Sequence, residues 1–557
     1  MPQLTYVKAF IGAFAGDTHA DAGLPVSVPG GHVATTVVRG SGYVLQTFGA
    51  AESTARISTA GDLGCVKGRP FAGGPGDAAV DPTAPSLHAQ LSDLDGRFSV
   101  CVLSTDAAVL ATDMIGAGAL FYHVDGSSRL LFASHLGLLV RALPRRPSVN
   151  DLGVVAMLIG SCAVGGRTLY HGIWRLEAAQ CLVARRTAGR ISTGTAVYLD
   201  PVQALAPAND RGTSRLEQFE SLLLEAVTRE AGTGEFGLML SGGKDSRALA
   251  QALALSGRRA VPAFTFGEWR SADVRGARRT AMAFGLPHRV LEYRDWTFET
   301  YAPTITELSG GASGLQTAAH IAGYDGAARR VARAMVGYLG DALTGAHLPK
   351  PGQSDLGVVF AYRQFWGPEL QDIYRTELAT LDADVEERWH ARPDLSATQR
   401  SLLLDLTIRQ ATYISSSFDL FDWHLPLCFP FYARRLMRFC FNLPLEDLTD
   451  QRLYQEWLRQ SRERIRTRGV STRSPSWMVY EATQIALNRL NRVTGLASMP
   501  PLMDWDARVR RSRSWLREVA ETTPDERLRK VFVAQLQLTR RWPIPILLVA
   551  GVSLATR

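Results

Sequence analysis

Leu240-Ser-Gly-Gly-Lys-Asp-Ser-Arg247 is the stretch on which the reading of this chain turns. A short apolar run, Gly237 to Leu240, leads into it and helical periodicity from Arg247 to Leu255 follows, so the segment is a turn between a strand and a helix. Two adjacent glycines let the backbone bend sharply and approach a ligand. Successive N–H groups and the start of a helix favour an anion there, and Ser241 and Ser246 add hydroxyls. The GxxxxGK[ST] spacing is absent, which excludes a Walker A loop. Asp245, inside the turn, would repel phosphate unless a hard cation such as Mg²⁺ lay between carboxylate and phosphate oxygens. That combination suits pyrophosphate as the leaving group of ATP. The plainer alternative is a Gly-rich turn that caps a helix through Ser and Asp.

A second segment weighs against the plainer alternative. Gly337-Tyr-Leu-Gly-Asp-Ala-Leu-Thr-Gly-Ala-His347 follows an amphipathic stretch and sets another acid, Asp341, in a glycine-containing turn. Two carboxylates on separate loops are what a Mg²⁺ bridging nucleotide phosphates needs.

Outward from these loops the text has two parts. Met1 to about Leu199 is rich in short β-type runs punctuated by Gly, Asp and Ser, such as Phe98 to Leu103 and Leu130 to Ser134. Turn formers of low hydrophobicity fill Pro201 to Ser214, and the boundary is placed there, giving units 1–205 and 212–557. Beyond it, helical Leu216 to Val227, strand-like Val261 to Phe266, helical Arg275 to Phe284 and strand-like Arg289 to Tyr293 argue a parallel α/β sheet. After about Gly352 the pattern is mainly helical. Arg452, Arg459, Arg462, Arg464, Arg466, Arg468 and Arg473 form a basic cluster, read as a solvated helix face unless an anion lies nearby.

The sequence Ser241 to Ser246 resembles the pyrophosphate-binding loop of the asparagine synthetase superfamily, and Gly340-Asp341 resembles its second metal-binding turn. Asp95-Gly-Arg-Phe98, Leu130 to Ser134 and Arg167 to Leu176 resemble the glutaminase-type domain of those proteins, and Pro430 to Pro444 resembles the helical segment near their synthetase site. The resemblance implies an α/β and α+β chain. Its N-terminal unit would be an Ntn-hydrolase-like, class II glutaminase-like β-rich sandwich. Its C-terminal unit would be a parallel α/β domain of the PP-loop ATP pyrophosphatase type with a helical extension. Such glutaminases use a cysteine exposed by loss of Met, activated by the free amine. Residue 2 is Pro2 and the first cysteine is Cys65, so the sandwich is expected to be a scaffold and the nitrogen nucleophile to come from the substrate or solution.

Members without that cysteine include β-lactam synthetases and the macrolactam synthetases of lasso peptide biosynthesis, and the form of both loops is similar to the latter. The resemblance then implies ATP and Mg²⁺, adenylation of a precursor Asp or Glu side chain, attack by the N-terminal amine, and release of AMP and pyrophosphate. It assigns Mg²⁺ to Asp245 and Asp341, and phosphate to Ser241, Gly242, Gly243, Lys244, Ser246 and Gly340. Met239 and Phe266 flank adenine in this reading, or are core residues. Tyr338, three residues before Asp341, stands where β-lactam synthetases carry a tyrosine that helps deprotonate the amine; an aromatic packed on the turn is the alternative. Arg468 takes the place of the pyrophosphate-side lysine. Expected partners are a precursor peptide, a leader peptidase and a leader-binding protein. A β-lactam-type ligase acting on a small amino acid and a non-enzymatic peptide scaffold are the rival readings.

Composition sets the outer bounds. The 557 residues are 46% hydrophobic and 20% charged, an ordinary globular balance with more than one compact unit. A formal charge of +8 over so large a surface does not imply nucleic acid. Six cysteines without CxxC spacing suggest neither a disulfide framework nor zinc, and fit a reducing, cytoplasmic setting. Ala9 to Ala15 reads as a buried strand rather than a secretory core. The interrupted apolar run Trp542 to Ala555 is too short to cross a bilayer and reads as a packed terminal element. His288, His320, His347 and His424 carry no assignment and are expected to be structural.

Overall fold

The computed structural model describes residues 5–16, 34–49, 63–68, 86–126, 128–207, 214–258, 260–269, 271–292, 297–350, 356–467, 505–537 and 544–557. Two six-stranded sheets form the N-terminal part. One runs in the order Thr5–Val7, Leu63–Gly68, Phe98–Leu103, Ala107–Thr112, Gln180–Thr187 and Arg190–Val197. The other runs Trp174–Arg175, Phe121–Asp125, Arg129–Ala133, Ala9–Ala15, Tyr43–Gly49 and Ala34–Gly40. Among the described residues of these two sheets only the first pair, Thr5–Val7 with Leu63–Gly68, is parallel. Phe10, Phe14, Leu45, Leu110, Leu130, Phe132 and Leu182 share one buried core. Ala9–Ala15 is buried at every position, the pattern of a central strand covered on both faces.

The C-terminal sheet is parallel throughout, in the order His288–Glu292, Ala263–Gly267, Gly237–Met239, Ala334–Met335 and Leu427–Cys428. The chain starts in the middle of this sheet, moves out to one edge, then returns to the other side of Gly237–Met239. The order therefore reverses between Gly237–Met239 and Ala334–Met335, and the loops that leave the ends of two such strands diverge and open a crevice. Ser241–Asp245 and Gly337–Asp341 follow those two strands. Helices flank the sheet with ordinary end chemistry. Arg215–Ala231 opens on a capping box of Ser214 and Glu217, and Ala272–Phe284 is capped by Ser271 and ends at Gly285 with φ of +69°. The expected β-rich sandwich, parallel α/β sheet and helical extension are the observed architecture.

Ile544–Thr556 is the last helix. Its side chains are largely buried, and the Ala555 carbonyl accepts the Tyr170 hydroxyl at 2.5 Å and a nitrogen of Arg146. It ties the end of the chain to the N-terminal sandwich. Among the described residues no helix is long and apolar enough to cross a membrane. All six cysteines are buried free thiols. Residues 208–213, within the proposed boundary, lie outside the described residues.

Candidate active site at the crevice of the parallel sheet

A cavity of about 430 Å³ opens at the switch point, in the size range of small-molecule sites. Met239, Ser241, Gly243, Asp245, Ser246, Phe266, Tyr338 and Asp341 line it, together with His320, Tyr324, His347, Arg409, Gln410, Ile414 and Phe418. Asp245 stands in the first turn of Lys244–Leu255, and Asp341 in the short helix Gly340–Leu343.

These two acids meet. The Tyr454 hydroxyl donates to the Asp245 carboxylate at 3.0 Å, and both acids line the same cavity. Burial, followed by repulsion from Asp341, pushes Asp245 up to about 8. Glycines make the approach possible: a Cβ at Gly340 would lie 2.6 Å from Asp245 Cγ, and one at Gly337 2.7 Å from Asp245 Cβ. Between them Leu339 holds a left-handed φ of +74°, a conformation that costs a non-glycine residue about 1–2 kcal/mol.

Asp341 is treated differently. Burial would raise it, but the hydrogen bond and charge of His347, the charge of Arg409 and the Ala342 N–H outweigh burial and hold it below the ordinary range. His347 bridges two acids, with Nε2 3.2 Å from Asp341 and Nδ1 2.7 Å from Asp405. Burial opposes its charge, yet the two carboxylates raise it to about 9. Arg409 sits 3.5 Å from Asp405, and Gln410 Nε2 donates to the same acid at 3.1 Å.

In the glycine turn, the Ser241 N–H donates to Ser246 Oγ at 3.0 Å, Gly242 N–H to Asp273 Oδ1 at 2.9 Å and Gly243 N–H to Ser241 Oγ at 3.1 Å. Burial drives Asp273 up to about 6 against that Gly242 bond. Lys244 Nζ donates to Gln451 Oε1 at 2.7 Å. Met239 is buried and Phe266 half-buried, its ring edge-on to His320 at 5.4 Å.

Tyr338 lies in the cavity wall among Phe418, Phe429 and Tyr432. Its hydroxyl donates to the Gln410 carbonyl at 2.7 Å, and burial drives its pKa far above the ordinary phenol value. It keeps its proton at neutral pH, and its surroundings are those of an aromatic packed on the turn. Arg468 and Arg473 lie outside the described residues. In the rest of the basic cluster, Arg452 pairs with Asp447, Arg459 with Glu456 and Arg464 with Glu220, so those arginines decorate a solvated helix.

Among the described residues no three His, Cys, Asp or Glu side chains converge to hold a metal. Two carboxylates lining one cavity, Asp245 raised by burial and then by the charge of Asp341, nevertheless fit Mg²⁺, which takes one or two protein carboxylates and completes its shell with phosphate oxygens and water.

Reading the sequence did not assign His347, Asp405, Arg409, Gln410, Tyr454 or Asp273. Only His347 carries a local cue, its place a few residues beyond Asp341; the others are far from the loops in sequence.

Fold and site thus define a crevice at the switch point of a parallel sheet, lined by paired acids. Residues 218–476 match the family described as Asparagine synthase, which supports the asparagine synthetase superfamily for this part of the chain. No curated protein matches. Among solved structures, one titled as the allosteric regulatory enzyme of purine biosynthesis aligns with TM-score 0.21 and 11% identity, over 51% of this chain and 59% of that one. Glutamine phosphoribosylpyrophosphate amidotransferase from B. subtilis, complexed with ADP and GMP, aligns with TM-score 0.20 and 9% identity over the same shares. The chain thus spans 59% of the length of each of these two proteins.

Proposed function

We propose that this chain is an ATP-dependent, AMP-forming macrolactam synthetase. It adenylates the Asp or Glu side chain of a lasso precursor peptide and joins it to that peptide's N-terminal amine. The observation that carries this reading is the meeting of Asp245 and Asp341 at the switch-point cavity.

A substrate carboxylate oxygen attacks the α-phosphorus of ATP, the bond to pyrophosphate breaks, and an acyl-adenylate forms. The amine then attacks the acyl carbon, the bond to AMP breaks, and the amine proton passes to solvent water. Asp245 and Asp341 would hold Mg²⁺, which when bound supplies positive charge to the departing pyrophosphate. Ser241, Gly242, Gly243, Lys244 and Ser246 cradle phosphate, Gly340 leaves room for the acids, and Met239 and Phe266 flank the base. Tyr338, Ile414 and Phe418 form an apolar wall that keeps water from the activated ester. Holding head and acyl group together lowers the barrier by several kcal/mol. A leader peptidase and a leader-binding protein supply the substrate in the cytoplasm.

The test is incubation with ATP, Mg²⁺ and either a linear peptide bearing a free amine and an internal acid or a free carboxyethyl amino acid. AMP release with loss of one water from the peptide is the expected result. Turnover confined to the small amino acid rejects the macrolactam reading.

A further inference from the structure

Two rows of residues run side by side along 410–419. Gln410, Ile414 and Phe418 line the cavity. Ala411, Ser415 and Asp419, each one position later, meet the N-terminal sandwich. Spacing by four keeps each row on one side of a helix, so one row reports to the site and its neighbour to the sandwich.

Cations from the sandwich hold every member of the second row. Arg175 Nη2 donates to the Ala411 carbonyl at 2.8 Å and to the Gly116 carbonyl at 2.7 Å. Arg97 Nε donates to Ser415 Oγ at 2.9 Å, and its Nη2 reaches Asp419 Oδ1 at 2.5 Å. Lys67 pairs with the same carboxylate. The Ser415 hydroxyl donates to the Ala117 carbonyl at 2.5 Å, and the Ala163 N–H donates to Thr412 Oγ1 at 2.8 Å.

The stretch so held is unusual in itself. Asp405–Ile414 is a ten-residue π-helix that passes directly into the α-helix Ser415–His424. Such turns are rare, and are mostly short and near functional sites. Lys67, Arg97 and Arg175 are 2%, 3% and 5% exposed. Burying cations is expensive, and well-packed apolar residues often do as well or better for stability. Stability alone therefore does not account for three of them on one helix.

We propose that the N-terminal sandwich is a positioning template for the synthetase cavity. Arg97 and Arg175 are its positioning residues: they set the rotation of 405–419 and so place Gln410, Ile414 and Phe418. This rests on the reading of the cavity as the adenylating site. The sandwich is then needed for ligation while performing none of its chemistry.

Arg175→Met and Arg175→Lys in the full chain test this, with Arg97→Lys as a second probe if Arg175→Met does not fold. In Arg175→Met, amide hydrogen exchange across 405–419 should speed up by about tenfold while the sandwich strands keep their protection. AMP formation should lose about tenfold or more in kcat with KM for ATP within about twofold, and Arg175→Lys should recover most of both. Unchanged exchange across 405–419, or a rate loss that follows global melting and is not recovered by lysine, overturns the proposal. A wild-type chain that ligates nothing rejects the function proposed above, while the exchange result still decides the positioning role.

Discussion

Asp245 shares one cavity with Asp341, and burial followed by the charge of Asp341 pushes its carboxyl up to about 8. The two acids oppose each other's ionisation, a conflict that a divalent ion would relieve. Asp245→Asn and Asp341→Asn should each lower AMP formation by about 10³-fold, the equivalent of several kcal/mol of electrostatic stabilisation, with circular dichroism unchanged. Wild-type rates in either variant would remove the metal role.

Gly340 is where the two acids have no room for a methyl group, since an added Cβ would sit 2.6 Å from Asp245 Cγ. Gly340→Ala should therefore displace Asp245, costing about 1–3 kcal/mol of stability and about tenfold or more in rate. Chemical denaturation and AMP release measure the two effects separately.

Tyr338 donates its proton to the Gln410 carbonyl, so Tyr338→Phe should cost about 1 kcal/mol of stability and reduce the rate less than about tenfold. General-base removal typically costs about 10²–10⁴-fold. A loss of that size at saturating substrate would return the base role to this phenol.

Asp419 contributes to acid stability. Burial would raise it, but Arg97 and Lys67 hold it at about 2 against an ordinary 3.8. Because the folded value is the lower one, its contribution is present above about pH 4 and disappears as pH falls through about 2, an effect of about 2–3 kcal/mol. Asp419→Asn should flatten that acid limb in urea melts. Asp419→Ala should cost about 3–5 kcal/mol at neutral pH, because it leaves Lys67 and Arg97 buried without their carboxylate.

Much of this was readable in the linear text because it is local. Ser241 to Ser246 declares a strand, a tight turn and a helix within one short window, and observed Gly237–Met239 and Lys244–Leu255 differ from the predicted bounds only at their ends. Ala9–Ala15 and Ile544–Thr556 were legible for the same reason, since continuous apolar runs must be buried wherever they go. The π-helical form of Asp405–Ile414 was not legible. Its residues carry ordinary helical periodicity, and contacts to the sandwich surround the wider turn.

By itself, then, the sequence determined the glycine loop, the acid turn and the alternation that makes the sheet parallel, because each depends on backbone conformation and periodicity over a few residues. Only the tertiary structure decided which charges meet. Asp245 with Asp341, His347 with Asp405, and Arg97 with Asp419 are brought together by chain reversal and sheet order. A Coulomb pair depends on distance in space and leaves no period in the text, so while Asp245 with Asp341 was expected from the two loops and their resemblance to a known family, His347 with Asp405 and Arg97 with Asp419 were not legible.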